Sequence, residues 1–170
     1  MPIFGGPNVD KLKSKGDVDG LIKAIEQKDD EVAIAAMNAL ADIKPNQAIE
    51  PIRAQLGSAS DARRLAAVKE LGEMRSESGF KALVEFIANN HVLDVEAAVK
   101  ELIVRAGETV VVGFLMDDLP TMSAAYRRKL VTVFSWIEGK RVTKALKTLT
   151  EDSDQAVSTG AAELLKQRGG

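Results

Sequence analysis

Apolar residues in this chain recur three and four positions apart in short blocks with polar residues between them, the spacing of amphipathic helices. One series of blocks reads Val32, Ala35, Ala36, Ala39 and Leu40, then Leu65, Ala66, Val68 and Leu71, then Val95, Val99 and Leu102. A second series alternates with it: Val18/Leu21/Ile25, Ile49/Ile52/Leu56 and Phe80/Leu83/Ile87. After one inserted residue it continues as Val112/Leu115/Leu119 and then Val142/Ala145/Leu149. The pattern copies itself. Residues 30–40 return as 61–71 (61 − 30 = 31) and as 92–102 (92 − 61 = 31), and the pentapeptides 67–71 and 98–102 are identical. A diverged copy stands at 154–164 (154 − 30 = 124, four times 31). A fixed period of this size means stacked supersecondary units, each able to bury its apolar stripe only against its neighbours.

The periodicity predicts a lone helix over about 17–27, four helix pairs over about 29–57, 60–89, 91–119 and 122–150, and a last helix over about 153–168. Asp30, Ser60 and Asp154 are the expected starts of first helices, and Asn46 after Pro45 is an expected N-cap. Gly57, Gly107 and Gly139 fall where helix ends favour a left-handed residue. The turns are short, so neighbouring helices run antiparallel and no domain linker is expected. Residues 1–16 are read as an N-terminal cap, with a short turn over 9–13 placing Ile3, Phe4 and Leu12 on the first layer. Residues 17–170 form the repeat domain, and the cap and repeats together make one domain.

Composition narrows the function classes more than it names one. Apolar residues are 45% and charged residues 28%, a globular balance. Lys plus Arg is 23 against 25 Asp plus Glu, a net charge of −2, which argues against a surface built to bind nucleic acid throughout. There is no Cys and a single His, His91, so thiolate chemistry is excluded and a zinc or transition-metal site lacks soft ligands. No cofactor or metal is expected. No apolar run approaches a membrane span, and the N-terminus is not that of a signal peptide, so the expectation is a cytoplasmic monomer with no membrane contact.

The Asp-opened Ala-Ala-x-x-x-Leu first helix and the shorter apolar second helix resemble HEAT-like repeats of the compact phycobilisome-lyase type, over about residues 17–168. The resemblance implies an all-α fold, an α-solenoid of stacked antiparallel helix pairs whose second helices line a concave groove. The fourth pair departs from the pattern. Arg127, Arg128, Leu130, Val131, Val133 and Phe134 replace its alanines, which predicts bulkier packing there. Trp136 is read as part of that packing.

Two candidate surfaces follow. Between positions 127 and 147 stand Arg127, Arg128, Lys129, Lys140, Arg141, Lys144 and Lys147 against Glu138 alone, a local charge of +6 (7 − 1 = 6). Lys140, Lys144 and Lys147 are spaced to share one helix face. These cations either pair across layers with Asp117, Asp118, Glu151, Asp152 and Asp154, or dock an acidic protein segment or a phosphate-rich partner. The second candidate is the groove marked by Glu50, Glu85, Phe114 and Asp117. Its columns mix signs and sizes, with no repeated reader residue for a periodic ligand, so nucleic acid is disfavoured.

No phosphate loop, nucleophile elbow or dinucleotide fingerprint is present. The repeated His-Glu motifs of HEAT-like iron hydroxylases are missing. The expected function is therefore a non-enzymatic scaffold or adaptor that binds another protein through a rigid concave groove, an acidic partner where the basic cluster docks it. The alternative is an enzyme or enzyme subunit of HEAT-like type, a chromophore lyase subunit or a DNA-base glycosylase.

Overall fold

The computed structural model describes residues 6–169, and Ile3 and Phe4 lie outside that range. Its elements are all helical: α1 (Val9–Lys15), α2 (Val18–Ile25), α3 (Asp30–Ile43), α4 (Ile49–Ala54), α5 (Asp61–Glu73), α6 (Glu77–Asn89), α7 (Leu93–Leu115), α8 (Ala124–Ser135), α9 (Lys140–Leu149) and α10 (Gln155–Gln167). The first helices α3, α5, α7, α8 and α10 begin at 30, 61, 93, 124 and 155 (61 − 30 = 31, 93 − 61 = 32, 124 − 93 = 31, 155 − 124 = 31). The sequence period is thus the structural period. Close contacts divide the chain into two compact units, one ending at Gly79 and the other beginning at Phe80, within the first turn of α6.

In the first unit α2 and α5 both pack on α3, and α1 covers α2 and α3 with Leu12 half-buried. The core is Leu21, Ile25, Ala36, Met37, Leu40, Ile52, Leu56, Ala67 and Leu71, all essentially without solvent contact. Side chains close the helix starts, because the first amides of a helix have no partner within it. Asp17 Oδ1 accepts from the Gly20 amide at 2.9 Å, and Ser60 Oγ accepts from the Arg63 amide at 3.3 Å. The start of α3 is set by Asp29, whose Oδ1 accepts from the Glu31 and Val32 amides at 2.9 and 3.3 Å. The helix therefore begins at Asp30, as expected, with the cap one residue before it, and the Asp30 carboxylate is left to accept from Ser60 Oγ at 2.6 Å and from Arg63 Nε. Arg63 also donates from Nη2 to Gln27 O at 2.6 Å, so one side chain ties α5 to both α3 and the end of α2.

Asn46 does not cap. It opens a 3-10 turn over Asn46–Ala48, preceded by Pro45 in extended conformation with no side-chain cap. Gly57 ends another 3-10 turn, Gln55–Gly57, and does not hold a left-handed helix end. Leu65, expected in the buried stripe, is 42% exposed, although Val68 and Gly72 on the same side of α5 are buried.

In the second unit α10 packs on both α8 and α9, and α7 contacts both α8 and α9. Gly107 (φ 77°, ψ 166°) breaks α7 into two helical stretches, 93–106 and 108–115, which are the two halves of the expected pair. Phe80 of α6 meets Phe114 with ring centroids 5.5 Å apart. The bulky fourth pair is core: Tyr126, Leu130, Val133 and Phe134 are fully buried, with Trp136 half-buried. Gly139 corrects another expectation. It opens α9 at φ 138° and ψ 168° instead of closing a helix. The α9 amides therefore need an outside acceptor, and Glu108 Oε2 supplies one, taking the Arg141 amide at 2.8 Å.

Candidate functional site

The seven cations between 127 and 147 separate by element. On α8, Arg127 makes a fork: Nε donates to Asp152 Oδ2 at 2.7 Å and Nη2 to Asp152 Oδ1 at 3.1 Å, while Nη1 donates to Met122 O at 2.5 Å. Both side chains are mostly covered, 14% and 7% exposed. A paired fork in such surroundings is strong and geometrically fixed. Arg128 forms a second fork, Nε to Asp154 Oδ1 at 3.0 Å and Nη2 to Asp154 Oδ2 at 2.5 Å. Lys129 Nζ donates to Glu96 Oε1 at 3.0 Å, 33 positions back (129 − 96 = 33), the same step that separates Asp30 from Arg63 (63 − 30 = 33).

Asp154 has two duties. Besides holding Arg128 it caps α10, its Oδ1 accepting from the Ala156 and Val157 amides at 3.1 and 3.2 Å. A cavity of about 500 Å³ beside it is lined by Arg128, Asp154, Gln155, Ala156 and Thr159. Its arginine and its helix N-terminus, the two features that would draw an anion, already share Asp154. The Arg128 hydrogen bonds hold the Asp154 carboxyl down at about 2, and Arg127 likewise lowers Asp152.

The α9 lysines differ. At 100° per residue, Val142, Ala145, Leu146 and Leu149 form one buried stripe, and Lys140, Lys144 and Lys147 point from the opposite side. All three are exposed, and among the described residues none has a carboxylate at ion-pair distance. Asp118 is drawn instead to Lys81 Nζ at 3.6 Å, and Asp152 to Arg127. Pairing across layers thus accounts for the α8 cations, and the α9 lysines stand outside it.

The second candidate set falls in both units. Glu50 is exposed on α4, in the first unit, with both oxygens 3.4 Å from Arg53 Nη1. Glu85 is half-buried on α6, Phe114 is committed to Phe80, and Asp117 is exposed after α7. His91 is exposed in the turn before α7. Among the described residues no group of three or more His, Asp or Glu could hold a metal ion, and no helix is long and apolar enough to cross a membrane. What sequence reasoning missed is Glu70, the single buried charged residue among those described, 3% exposed on α5. Its only signal was a position beside Leu71 on the apolar side of the repeat.

The family model for HEAT repeats matches residues 18–103, just over half of the chain (103 − 18 + 1 = 86 of 170). Among solved structures, the complex of CpcE and CpcF of phycocyanin lyase from Nostoc sp. PCC7120 is similar at 16% identity with a TM-score of 0.48. The match covers 89% of this chain and 64% of that one. A designed armadillo repeat protein in complex with the peptide (KR)4 matches at 19% identity and a TM-score of 0.42, over 95% of this chain and 86% of that one. No curated protein sequence shows significant similarity to the chain.

Proposed function

The chain belongs to the HEAT-repeat family, and from that premise we propose that it is a non-enzymatic binding module that docks an acidic segment of a partner protein on the outer face of α9. The observation that carries the reading is the lysine row. Lys140, Lys144 and Lys147 share one exposed face and, among the described residues, have no carboxylate of their own, while Arg127, Arg128 and Lys129 beside them in sequence are each bound to one. A fixed helix presenting three unpaired ammonium groups attracts carboxylates without first having to break an internal ion pair. In this reading Arg127 and Arg128 set the frame and the α9 lysines make the contact.

Fluorescence anisotropy with a short labelled poly-glutamate peptide tests it. Binding should be saturable at about 0.05 M salt and should weaken strongly by about 0.3 M, as the Debye length shrinks. Reversing Lys140, Lys144 and Lys147 to Glu should abolish binding with an unchanged circular dichroism melt. Retained affinity in that variant would sink the proposal.

A further inference from the structure

Glu70 lies where its helix should bury an apolar residue. Its equivalent one repeat earlier is Ala39 (70 − 31 = 39), 2% exposed, and one repeat later it is Glu101 (70 + 31 = 101), which is exposed. Removing a carboxylate from water costs several kcal/mol unless its oxygens are matched by donors. A carboxylate offers two oxygens with about four acceptor sites. Among the described residues, its only side-chain donor is Lys69 Nζ at 2.7 Å. Lys69 is the next residue on the same helix, and adjacent helical positions do not face each other, so the side chain curls back to arrive. Its own side chain is 62% exposed.

The carboxylate lines a cavity of about 330 Å³ between α3 and α5, within the first unit. That volume is at the lower end of small-ligand sites. Asn38, Ala41, Asp42, Lys44, Lys69 and Glu73 complete the lining, and of these only Ala41 is buried. Asp42 is occupied by Lys13 from α1, which also lowers its pKa. The lining carries three carboxylates and two ammonium groups, a net −1 (2 − 3 = −1).

We propose that this cavity is a binding site for a guanidinium group, which forks onto the buried Glu70 carboxylate and displaces the Lys69 ammonium to solvent. The chemistry selects guanidinium over ammonium. Lys69 already supplies an ammonium and satisfies the carboxylate at one point. A planar fork engages both oxygens at once and is more weakly hydrated, so less is lost as it leaves water for the buried carboxylate. Asn38 also lines the cavity. The site shares no residue with the α9 surface and does not depend on it.

Nuclear magnetic resonance titration of the full chain with methylguanidinium, at constant ionic strength, tests the proposal. Saturable shifts are expected at the amides of Asn38, Asp42, Glu70 and Glu73, with none from methylammonium at equal concentration. Glu70→Gln keeps the shape and removes the charge, and should weaken binding about tenfold or more through loss of the charge-assisted fork. Lys69→Met removes the resident competitor from an exposed position and should tighten binding about threefold or more. Equal shifts from methylammonium, unaltered affinity in Glu70→Gln, or unaltered affinity in Lys69→Met would each overturn the assignment. So would saturation by inorganic phosphate in place of methylguanidinium, since the lysines would then be the site. Should Glu70→Gln fail to fold, Lys69→Met still decides. A blocked Gly-Arg-Gly peptide separates the sources. Tighter binding than methylguanidinium marks an arginine of a partner protein, equal binding marks a free guanidinium compound, and both uphold the site.

Discussion

At the scale of single residues, Gly139 and Glu108 depend on each other. A Cβ on Gly139 would fall 2.0 Å from Glu108 Oε2, and its φ of 138° is one that other residues rarely hold. Gly107 at φ 77° has open space around the same position. Gly107→Ala should therefore cost only the backbone strain, about 1–3 kcal/mol, and Gly139→Ala should cost more because the cap on α9 is also pushed away. Chemical denaturation of both variants and of Gly139→Ala with Glu108→Ala measures the difference. Strict additivity in the double variant would show that the carboxylate and the glycine are not coupled. The lowered carboxyls give a second residue-scale expectation. Asp154 is held at about 2 by Arg128, Asp152 is lowered by Arg127, and Asp30 by the Ser60 hydroxyl and then Arg63. A carboxyl with a folded-state pKa below its unfolded value stabilises the fold fully above the unfolded value, near 4, and loses this as pH falls through the folded one. Stability should thus decline between about pH 4 and pH 2. Arg128→Gln should be less stable than the parent at neutral pH, with the gap closing by about pH 2. A gap of constant size would assign Arg128 to packing and not to charge.

At the scale of elements, small side chains set how closely the helices of the first unit approach. Ala36 of α3 and Ala67 of α5 have no solvent exposure, and α3 and α5 pack directly on each other. Ala67→Leu adds three carbons to a filled site, so it should cost about 1–3 kcal/mol in a denaturation experiment. The third equivalent alanine, Ala98 of α7, is only half-buried, and the same change there should be milder. If both variants melted like the parent, close approach of helices at these positions would be disproved. Helix ends are set with equal economy. Arg168 after α10 donates from Nη2 to Phe134 O and Ile137 O, each at 2.8 Å, and so satisfies carbonyls at the end of α8.

At the scale of the whole molecule, repeat stacks are stabilised by neighbours, so the last element of each stack matters beyond its own residues. α10 covers α8 and α9, caps itself with Asp154 and reaches back with Arg168. Deleting residues 153–170 should uncover Val142, Ala145, Leu146 and Leu149, all now buried, and leave Arg128 without its carboxylate. The shortened chain should self-associate or aggregate in size-exclusion chromatography with light scattering. A soluble, cooperatively melting monomer would show that α10 is dispensable to the second unit.

The sequence by itself determined the helices, their period and their pairing. Those depend on local spacing of apolar residues and on caps such as Ser60 and Asp154, which act within a few positions. It could not say which cations were already taken. Arg127 and Lys147 look alike along the chain, and only the approach of the turn before α10 hands Asp152 to the first, while the second has no carboxylate among the described residues. Nor could it separate Glu70 from Glu101, which stand in identical pentapeptides. One is covered by α3 and the other meets solvent, because burial belongs to the neighbouring helix and not to the residue that is buried.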